Sequence, residues 1–301
     1  MYAKVNGTRL YFDIEGAGYV PDGPMMRQKP VCFILHGGPG GDHTGFKPAL
    51  SPLSEHMQLV YIDHRGCGLS ERGPQSTYTL ENNIEDIEAL RQYLGFDKII
   101  IFGQSYGGMV AQAYASKYKE NLQALLLGVT SPAHRFVEKA KDIVNEKGTE
   151  EQKQMVEILF EGTFESEEQH QRYYEVMAPL YSYSYDENNV EQRKAREQAG
   201  SRAKRSYQAL NEGFGRFLRE FDVIDQLPKI DVPTLIIGGR HDWITPVEAS
   251  MLIHEKLPDS ELVIFENSSH QVAKDEYDLF ISTLVDFVNR RVIESKLSNV
   301  Y

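Results

Sequence analysis

The chain has 301 residues, 41% hydrophobic and 25% charged, an ordinary globular composition that excludes a disordered chain. Lys and Arg total 32 against 44 for Asp and Glu, a net charge of −12. That balance disfavours nucleic acid and anionic membrane surfaces as partners and is compatible with cationic small ligands.

Residues 3–14 read as two strands around Asn6-Gly7, a strong hairpin signal. A Gly/Pro-rich loop from 16 to 30 follows. Apolar runs at 31–35, 59–62, 98–102 and 124–127 are bounded by turn residues, as expected for strands buried on both faces of a parallel sheet. Between them, 80–94 and 107–119 show helical spacing. The alternation predicts a doubly wound α/β sheet. From 131 to 225 no buried strand is predicted, and the segment reads as helices. It opens acidic, with 11 acids and 5 bases over 138–175, and turns basic, with 6 bases and 2 acids over 190–205. Strand signals resume at 233–238 and 261–265, and a last helix is expected from about 274 to 295. The expected organisation is therefore a core of 1–130 and 226–301 interrupted by a helical cap of 131–225.

Two cysteines, Cys32 and Cys67, cannot form a disulfide framework or a four-cysteine zinc site. The N-terminus lacks the charged and apolar regions of a signal peptide, and no run approaches the roughly 20 apolar residues that span a bilayer. A cytoplasmic protein with reduced thiols and no membrane association is expected.

Gly103-Gln104-Ser105-Tyr106-Gly107-Gly108 carries the strongest chemical signal. It lies between a predicted strand and a predicted helix, the setting of a nucleophile elbow. Small residues must flank a serine held in a strained turn where strand and helix crowd together. A serine hydroxyl needs a base, and the base needs an orienter. For this arrangement the chain order is Ser, acid, His. Asp242 follows the strand at 233–238, and His270, the last histidine, follows the strand at 261–265. Both fall at the sheet edge where catalytic groups of open α/β sheets gather. His241 is a rival base, but its neighbour Asp242 fits the acid position. After the strand at 31–35 comes His36-Gly37-Gly38-Pro39-Gly40-Gly41. Its glycines let backbone N–H groups approach a substrate oxygen, so Gly38 and Tyr106 are the expected oxyanion donors and Gly37 an expected substrate contact. His36 and His43 have no carboxylate at ligand spacing, so neither a metal nor another cofactor is expected.

Together these segments resemble the α/β-hydrolase fold, a mostly parallel sheet flanked by helices. More narrowly they resemble the prolyl iminopeptidase-like serine peptidases. The narrower likeness rests on the HGGPG loop 36–40, the turn Asp63-His64-Arg65-Gly66-Cys67-Gly68-Leu69-Ser70 and the elbow 103–108. It implies removal of an N-terminal residue, often proline, from small peptides. By that likeness Ser105 is nucleophile, His270 general base and Asp242 its orienter. A cap glutamate, Glu212, would receive the free α-amino group. The chain departs from some members in carrying Trp243, not a second glutamate, directly after the catalytic aspartate. Trp243 is expected either to wall the pocket or to lie in the core. Tyr173, Tyr174, Tyr181, Tyr183 and Tyr185 are candidates for an apolar pocket or for the cap's own packing.

The substrates expected are a small peptide, an amino-acid amide or an ester. The leading expectation is a serine exopeptidase working through an acyl-enzyme. A carboxylesterase or lactonase with the same triad is the alternative, and a non-catalytic ligand receptor is a third reading from another class. The acidic first half of the cap would draw in cationic amino termini, with the basic 190–205 stretch working against it.

Overall fold

The computed structural model describes residues 1–294. Strands β1 (Tyr2–Val5) and β2 (Thr8–Glu15) form the expected hairpin. Asn6 and Gly7 both take positive φ, 43° and 73°, the conformation that matches a two-residue turn to strand twist. The segment expected as a plain loop contains a second hairpin, β3 (Tyr19–Asp22) with β4 (Met25–Gln28). Its strands are almost wholly exposed and present no core face, so no alternating pattern marks them.

The main sheet continues through β5 (Val31–Leu35), β6 (Gln58–Ile62), β7 (Ile99–Gln104), β8 (Leu122–Gly128), β9 (Thr234–Gly239) and β10 (Ser260–Phe265). Its order is β1-β2-β6-β5-β7-β8-β9-β10. β1 pairs antiparallel with β2 and β2 antiparallel with β6, and the remaining neighbours pair parallel. The uninterrupted apolar runs are explained by burial on both faces. Phe33 and Leu35 of β5 join Ile99 and Ile101 of β7 in one core, whereas Cys32, Ile34, Ile100 and Phe102 join the other. The period of two sends alternate residues to opposite layers.

Helices α1 (Leu80–Tyr93) and α2 (Tyr106–Tyr118) lie where the spacing places them. The chain passes from β5 outward to β6 and then returns to β7 on the other side of β5. This reversal opens a crevice at the C-terminal ends of β5 and β7.

Between β8 and β9 the chain forms α3 (Phe136–Lys147), α4 (Glu150–Glu161), α5 (Glu167–Tyr181), α6 (Val190–Arg202) and α7 (Tyr207–Gly215), with no strand of the main sheet. Its two ends run side by side, His134 N donating to Phe221 O at 2.7 Å and Val223 N to Pro132 O at 2.9 Å. Helix α4 starts with a capping box between Thr149 and Gln152, which satisfies two otherwise orphan donors.

After β9 come α8 (Val247–Lys256), α9 (Val272–Asp275) and α10 (Tyr277–Val288). The single helix expected from 274 is thus broken at Glu276, and its expected end at 295 lies outside the described residues. The break has a reason. Asp275 accepts from Ser269 N at 3.0 Å, Ser182 Oγ at 2.6 Å and Tyr183 N at 2.9 Å. Glu276 accepts from Asn267 N at 3.0 Å and Ser268 Oγ at 2.7 Å. Asp275 ties the loop carrying His270 to the end of α5, and Glu276 ties the same loop to the start of α10. Among the described residues no helix is long and apolar enough to cross a membrane.

His170 on α5 is buried between Phe164 and Tyr174, at ring distances of 5.1 and 5.2 Å. Its Nε2 has no hydrogen-bond partner among the described residues. Burial, then the nearby Arg205, push its pKa down to about 4. The unfolded chain, with a histidine near 6.5, therefore binds more protons than the fold between these values, and stability falls as pH drops through that window. The expected loss between pH 6.5 and 4 is up to about 3 kcal/mol. Urea midpoints measured across this range should decline for the parent and decline less for His170→Leu.

Candidate active site

Ser105 is the N-cap of α2 and has φ 57° and ψ −123°. A non-glycine residue held there stores strain, and its neighbours impose the conformation. Ser105 N donates to Gly128 O at 2.9 Å, and its carbonyl accepts from Thr130 Oγ1 at 2.7 Å and from Gly108 N at 2.9 Å. A Cβ on Gly107 would come within 2.2 Å of Leu35 O, so only glycine lets α2 start this close to β5. Tyr106, as the first residue of α2, has an N–H with no intrahelical acceptor. Its ring is buried and its phenol oxygen accepts from Asn83 at 2.7 Å.

Asp242 follows β9 and its carboxylate is fully buried. Oδ1 accepts from Ile244 N at 2.9 Å and Thr245 N at 3.1 Å. Oδ2 lies 2.7 Å from His270 Nδ1 and 2.7 Å from Thr245 Oγ1. A carboxylate with this many donors is fixed in direction. The hydroxyl of Thr245 also sits 2.8 Å from Val129 O; its single proton serves one acceptor at a time. His270 follows β10, and its carbonyl accepts from the Gln104 side chain at 3.4 Å. The residue before Ser105 thus touches the histidine loop. Ser105 Oγ and His270 Nε2 form no hydrogen bond with each other in the structure, as is common for such a pair without substrate. His241 stacks on Tyr183 at 4.5 Å and does not contact Asp242's carboxylate. Thr245 escaped the sequence reading; the signal was its position three residues after an aspartate, a local capping pattern.

The loop 36–41 lies against the serine. A Cβ on Gly37 would meet Ser105 Cβ at 3.1 Å, and Gly38 has φ +122°. His36 Nε2 accepts from His64 N at 3.1 Å, so its proton sits on Nδ1 and donates to Gly37 O at 2.8 Å. Burial holds this imidazole below the usual histidine range and keeps it neutral. The loop's far end is fixed by Asp63. Its Oδ1 accepts from His43 N at 2.8 Å and His43 Nδ1 at 2.9 Å, and its Oδ2 from Leu69 N at 2.8 Å. Burial raises this carboxyl, but His43 more than offsets it and the net direction is down. Ser70 Oγ donates to Asp63 O at 2.6 Å and accepts from Tyr11 N at 2.8 Å. The turn 63–70 is therefore a scaffold for the glycine loop. Cys67 lies in it, and burial pushes its thiol up to about 12, which removes it as a nucleophile.

Two cavities meet this edge. A small apolar one of about 30 Å³ is lined by Gly38, Ser105, Phe160, Phe214, Leu218 and Ile244, among others. A cleft of about 780 Å³ reaches Gly37, Gly38 and Gln104 and extends under α5 and α6, where Tyr174, Tyr181 and Tyr185 line it. Tyr173 is instead buried packing, its hydroxyl 2.6 Å from that of Tyr181.

Two expected substrate contacts lie elsewhere. Trp243 is 1% exposed and lines neither cavity. It packs edge-on against Tyr181 at 5.5 Å and Phe160 at 6.4 Å, supporting their positions from behind. Glu212 on α7 also lines neither cavity, and its carboxylate pairs with Arg216 at 2.9 Å. Its neighbour Gly213 packs on Pro39, where a Cβ would fall 2.3 Å from the proline Cγ. The cleft does not carry the acidic character expected of the cap's first half, because Arg193, Arg196, Arg205 and Lys274 line it. No group of three His, Cys, Asp or Glu among the described residues could hold a metal ion.

Comparison with known proteins follows this geometry. Residues 30–277 match the family model described as alpha/beta hydrolase fold. A proline iminopeptidase of Saccharolobus solfataricus is 34% identical, covering 96% of this chain and 92% of its own. A proline iminopeptidase of Pestalotiopsis fici is 31% identical, covering 94% and 97%. Among solved structures, the proline iminopeptidase of Mycobacterium smegmatis superposes with a TM-score of 0.74 at 20% identity, covering 98% of this chain and 99% of that one. An alpha/beta fold family hydrolase from Bacillus anthracis gives 0.76 at 22%, covering 97% and 98%. At such identities the superpositions bear on the fold alone.

Two substitutions test this geometry. Gly68 has φ +52°, and a Cβ there would fall 2.1 Å from Asp63 Oδ2. Gly68→Ala should cost about 2–3 kcal/mol, seen as a Tm lower by roughly 5–10 °C. Thr245→Val removes one donor from Asp242 Oδ2, and the rate of covalent labelling by a fluorophosphonate should fall about tenfold with Tm changed far less.

Proposed function

The chain belongs to the α/β-hydrolase fold family and groups within it with the proline iminopeptidases, and we propose that it is a serine hydrolase releasing an N-terminal residue, proline by preference, from small peptides or amino-acid amides. The observation that carries this reading is the meeting of Ser105, His270 and Asp242 at one sheet edge beneath the HGGPG loop.

In the proposed reaction Ser105 Oγ attacks the carbonyl of the first residue while His270 Nε2 takes its proton. The imidazolium that forms donates through Nδ1 to Asp242 Oδ2. Negative charge on the carbonyl oxygen is received by the N–H groups of Tyr106 and Gly38, each worth about 3–4 kcal/mol in the transition state. The carbonyl–nitrogen bond breaks, the leaving nitrogen takes the proton from His270, and a proline ester of Ser105 remains. Water, deprotonated by His270, then releases proline. The acyl side chain faces Phe160, Phe214, Leu218 and Ile244, apolar walls suited to a small ring without hydrogen-bonding groups. That cavity holds little more than one water-sized volume, so binding requires these side chains to move apart.

The amino group decides between a peptidase and an esterase. We assign it to Glu212, which α7 carries beside the loop through the Gly213–Pro39 contact. Its partner Arg216 is an exposed side chain, and such surface pairs contribute under about 1 kcal/mol, so exchanging partners costs little. The same pair is the one observation that favours an ester substrate.

Prolyl-4-nitroanilide should be cleaved at least about tenfold faster in kcat/KM than its N-acetyl form. Ser105→Ala should lose both activity, by roughly 10⁴-fold or more, and fluorophosphonate labelling. Equal rates on the two anilides, together with fast hydrolysis of 4-nitrophenyl acetate, would establish the esterase instead.

A further inference from the structure

The large cleft gathers cations that the chemistry above does not use. Arg193 and Arg196 of α6, Arg205 and Lys274 of α9 all line it. The chain has 44 acidic residues, and other arginines of the same region, Arg172, Arg216 and Arg219, each reach one. Among the described residues none of the four cleft cations is in an ion pair. Two are held in place by aromatic rings. The Arg205 guanidinium lies 4.0 Å from the centre of the Tyr174 ring and that of Arg196 4.7 Å from Tyr185, a stacking that orders each group; Arg205 Nη1 also donates to Gln171 Oε1 at 3.4 Å. Arg196 Nη1 is buried without a hydrogen-bond partner, a donor that gains from any acceptor brought to it. Burial lowers the Lys274 ammonium below its ordinary range, with the neighbouring Asp275 opposing the shift and Arg196 adding to it.

The carboxylates of the cleft do not cancel this charge. Asp42 is engaged by Thr44 N and Oγ1 and by Lys204 N. Glu175 accepts from Gln171 and lies 3.7 Å from Arg172. With Glu197 the lining holds three acids against four cations, a small cationic excess. The cleft is continuous with Gly37, Gly38 and Gln104 beside Ser105, and about 780 Å³ accommodates a ligand of several hundred daltons.

We propose that this cationic wall receives the C-terminal carboxylate of the departing part of the substrate, which makes the enzyme selective for di- and tripeptides with a free C-terminus. Arg196 and Lys274 are the principal donors, with Arg193 and Arg205 contributing field. The inference rests on the peptidase reading given above. It gives the chain a length limit as well as an N-terminal preference, because a longer peptide carries its carboxylate past the wall.

The test is release of free proline from prolyl-alanine and prolyl-alanyl-alanine, each as free acid and as C-terminal amide. At one of the two lengths kcat/KM should be at least about fivefold higher for the acid. Raising NaCl from about 20 to 500 mM should shrink that ratio as the Debye length contracts. In Arg196→Gln/Lys274→Gln the ratio should approach one. Acid-to-amide ratios of one at both lengths in the parent protein would overturn the inference and leave the peptidase reading standing. No proline release from any of the four, with 4-nitrophenyl acetate still hydrolysed, would overturn both.

Discussion

The site depends on one backbone conformation, that of Ser105 at positive φ. A residue with a Cβ pays for that conformation, and the return is a hydroxyl lifted clear of the sheet at the start of a helix. Everything around it is arranged to hold the turn. Strand β7 leads in and α2 leads out, while the Gly128 carbonyl and the Thr130 hydroxyl grip the peptide groups on either side. The crowding that makes glycine necessary at 107 is contact with β5, the strand whose far end becomes the HGGPG loop. The elbow and the loop are therefore set by the same approach of α2 to β5, and neither can move without the other.

A second constraint sits under the loop. Asp63 is a buried carboxylate satisfied by three N–H donors from two segments distant in sequence. Such a group is costly to bury and more costly to leave unpaired, so it fixes its donors firmly. It makes one rigid body of the glycine loop and the turn 63–70. The histidines 36, 43 and 64 belong to this body. They act as neutral or carboxylate-paired connectors, and among the described residues they form no group of three ligands that could hold a metal ion. The resemblance carried by the DHRGCGLS segment is thus a resemblance in scaffold, one step removed from the proposed chemistry.

The helical insertion lines both cavities. Through α4, α7 and the turn after it, it supplies Phe160, Phe214 and Leu218 to the small cavity at Ser105. Through α5, α6 and the segment after α6, it supplies tyrosines and arginines to the cleft. It is fastened to the core at the glycine loop itself, by Ser206 N on Gly40 O at 2.8 Å, Lys204 N on Asp42 and Gly213 on Pro39. The proposed substrate contacts and the proposed oxyanion donors are mechanically joined there. The net charge of −12 describes the chain as a whole and misdescribes the cleft, whose lining carries four cations against three carboxylates.

The strands, the parallel sheet, the tight strand-to-helix turn at Ser105 and the places of Asp242 and His270 after β9 and β10 were all legible in the sequence. Each rests on a local rule: two-sided burial writes continuous apolar runs, a strained turn demands small neighbours, and the candidate residues follow strand ends. The hairpin at 19–28 was not legible, because exposed strands carry no pattern, and the break at Glu276 was not, because its cause is hydrogen bonding to loops far away in the chain. The partners of individual side chains were beyond any local rule. Glu212 pairs with Arg216, Trp243 packs behind Tyr181, and Thr245 supports Asp242, each decided by which surfaces the insertion brings against the core. Charge shows the division most plainly. The sequence by itself determined how many charges the chain carries and in which blocks, but only the tertiary structure decided which of them find partners and which are left facing an open cleft, because ion pairing depends on distances of a few ångströms between segments that folding alone brings together.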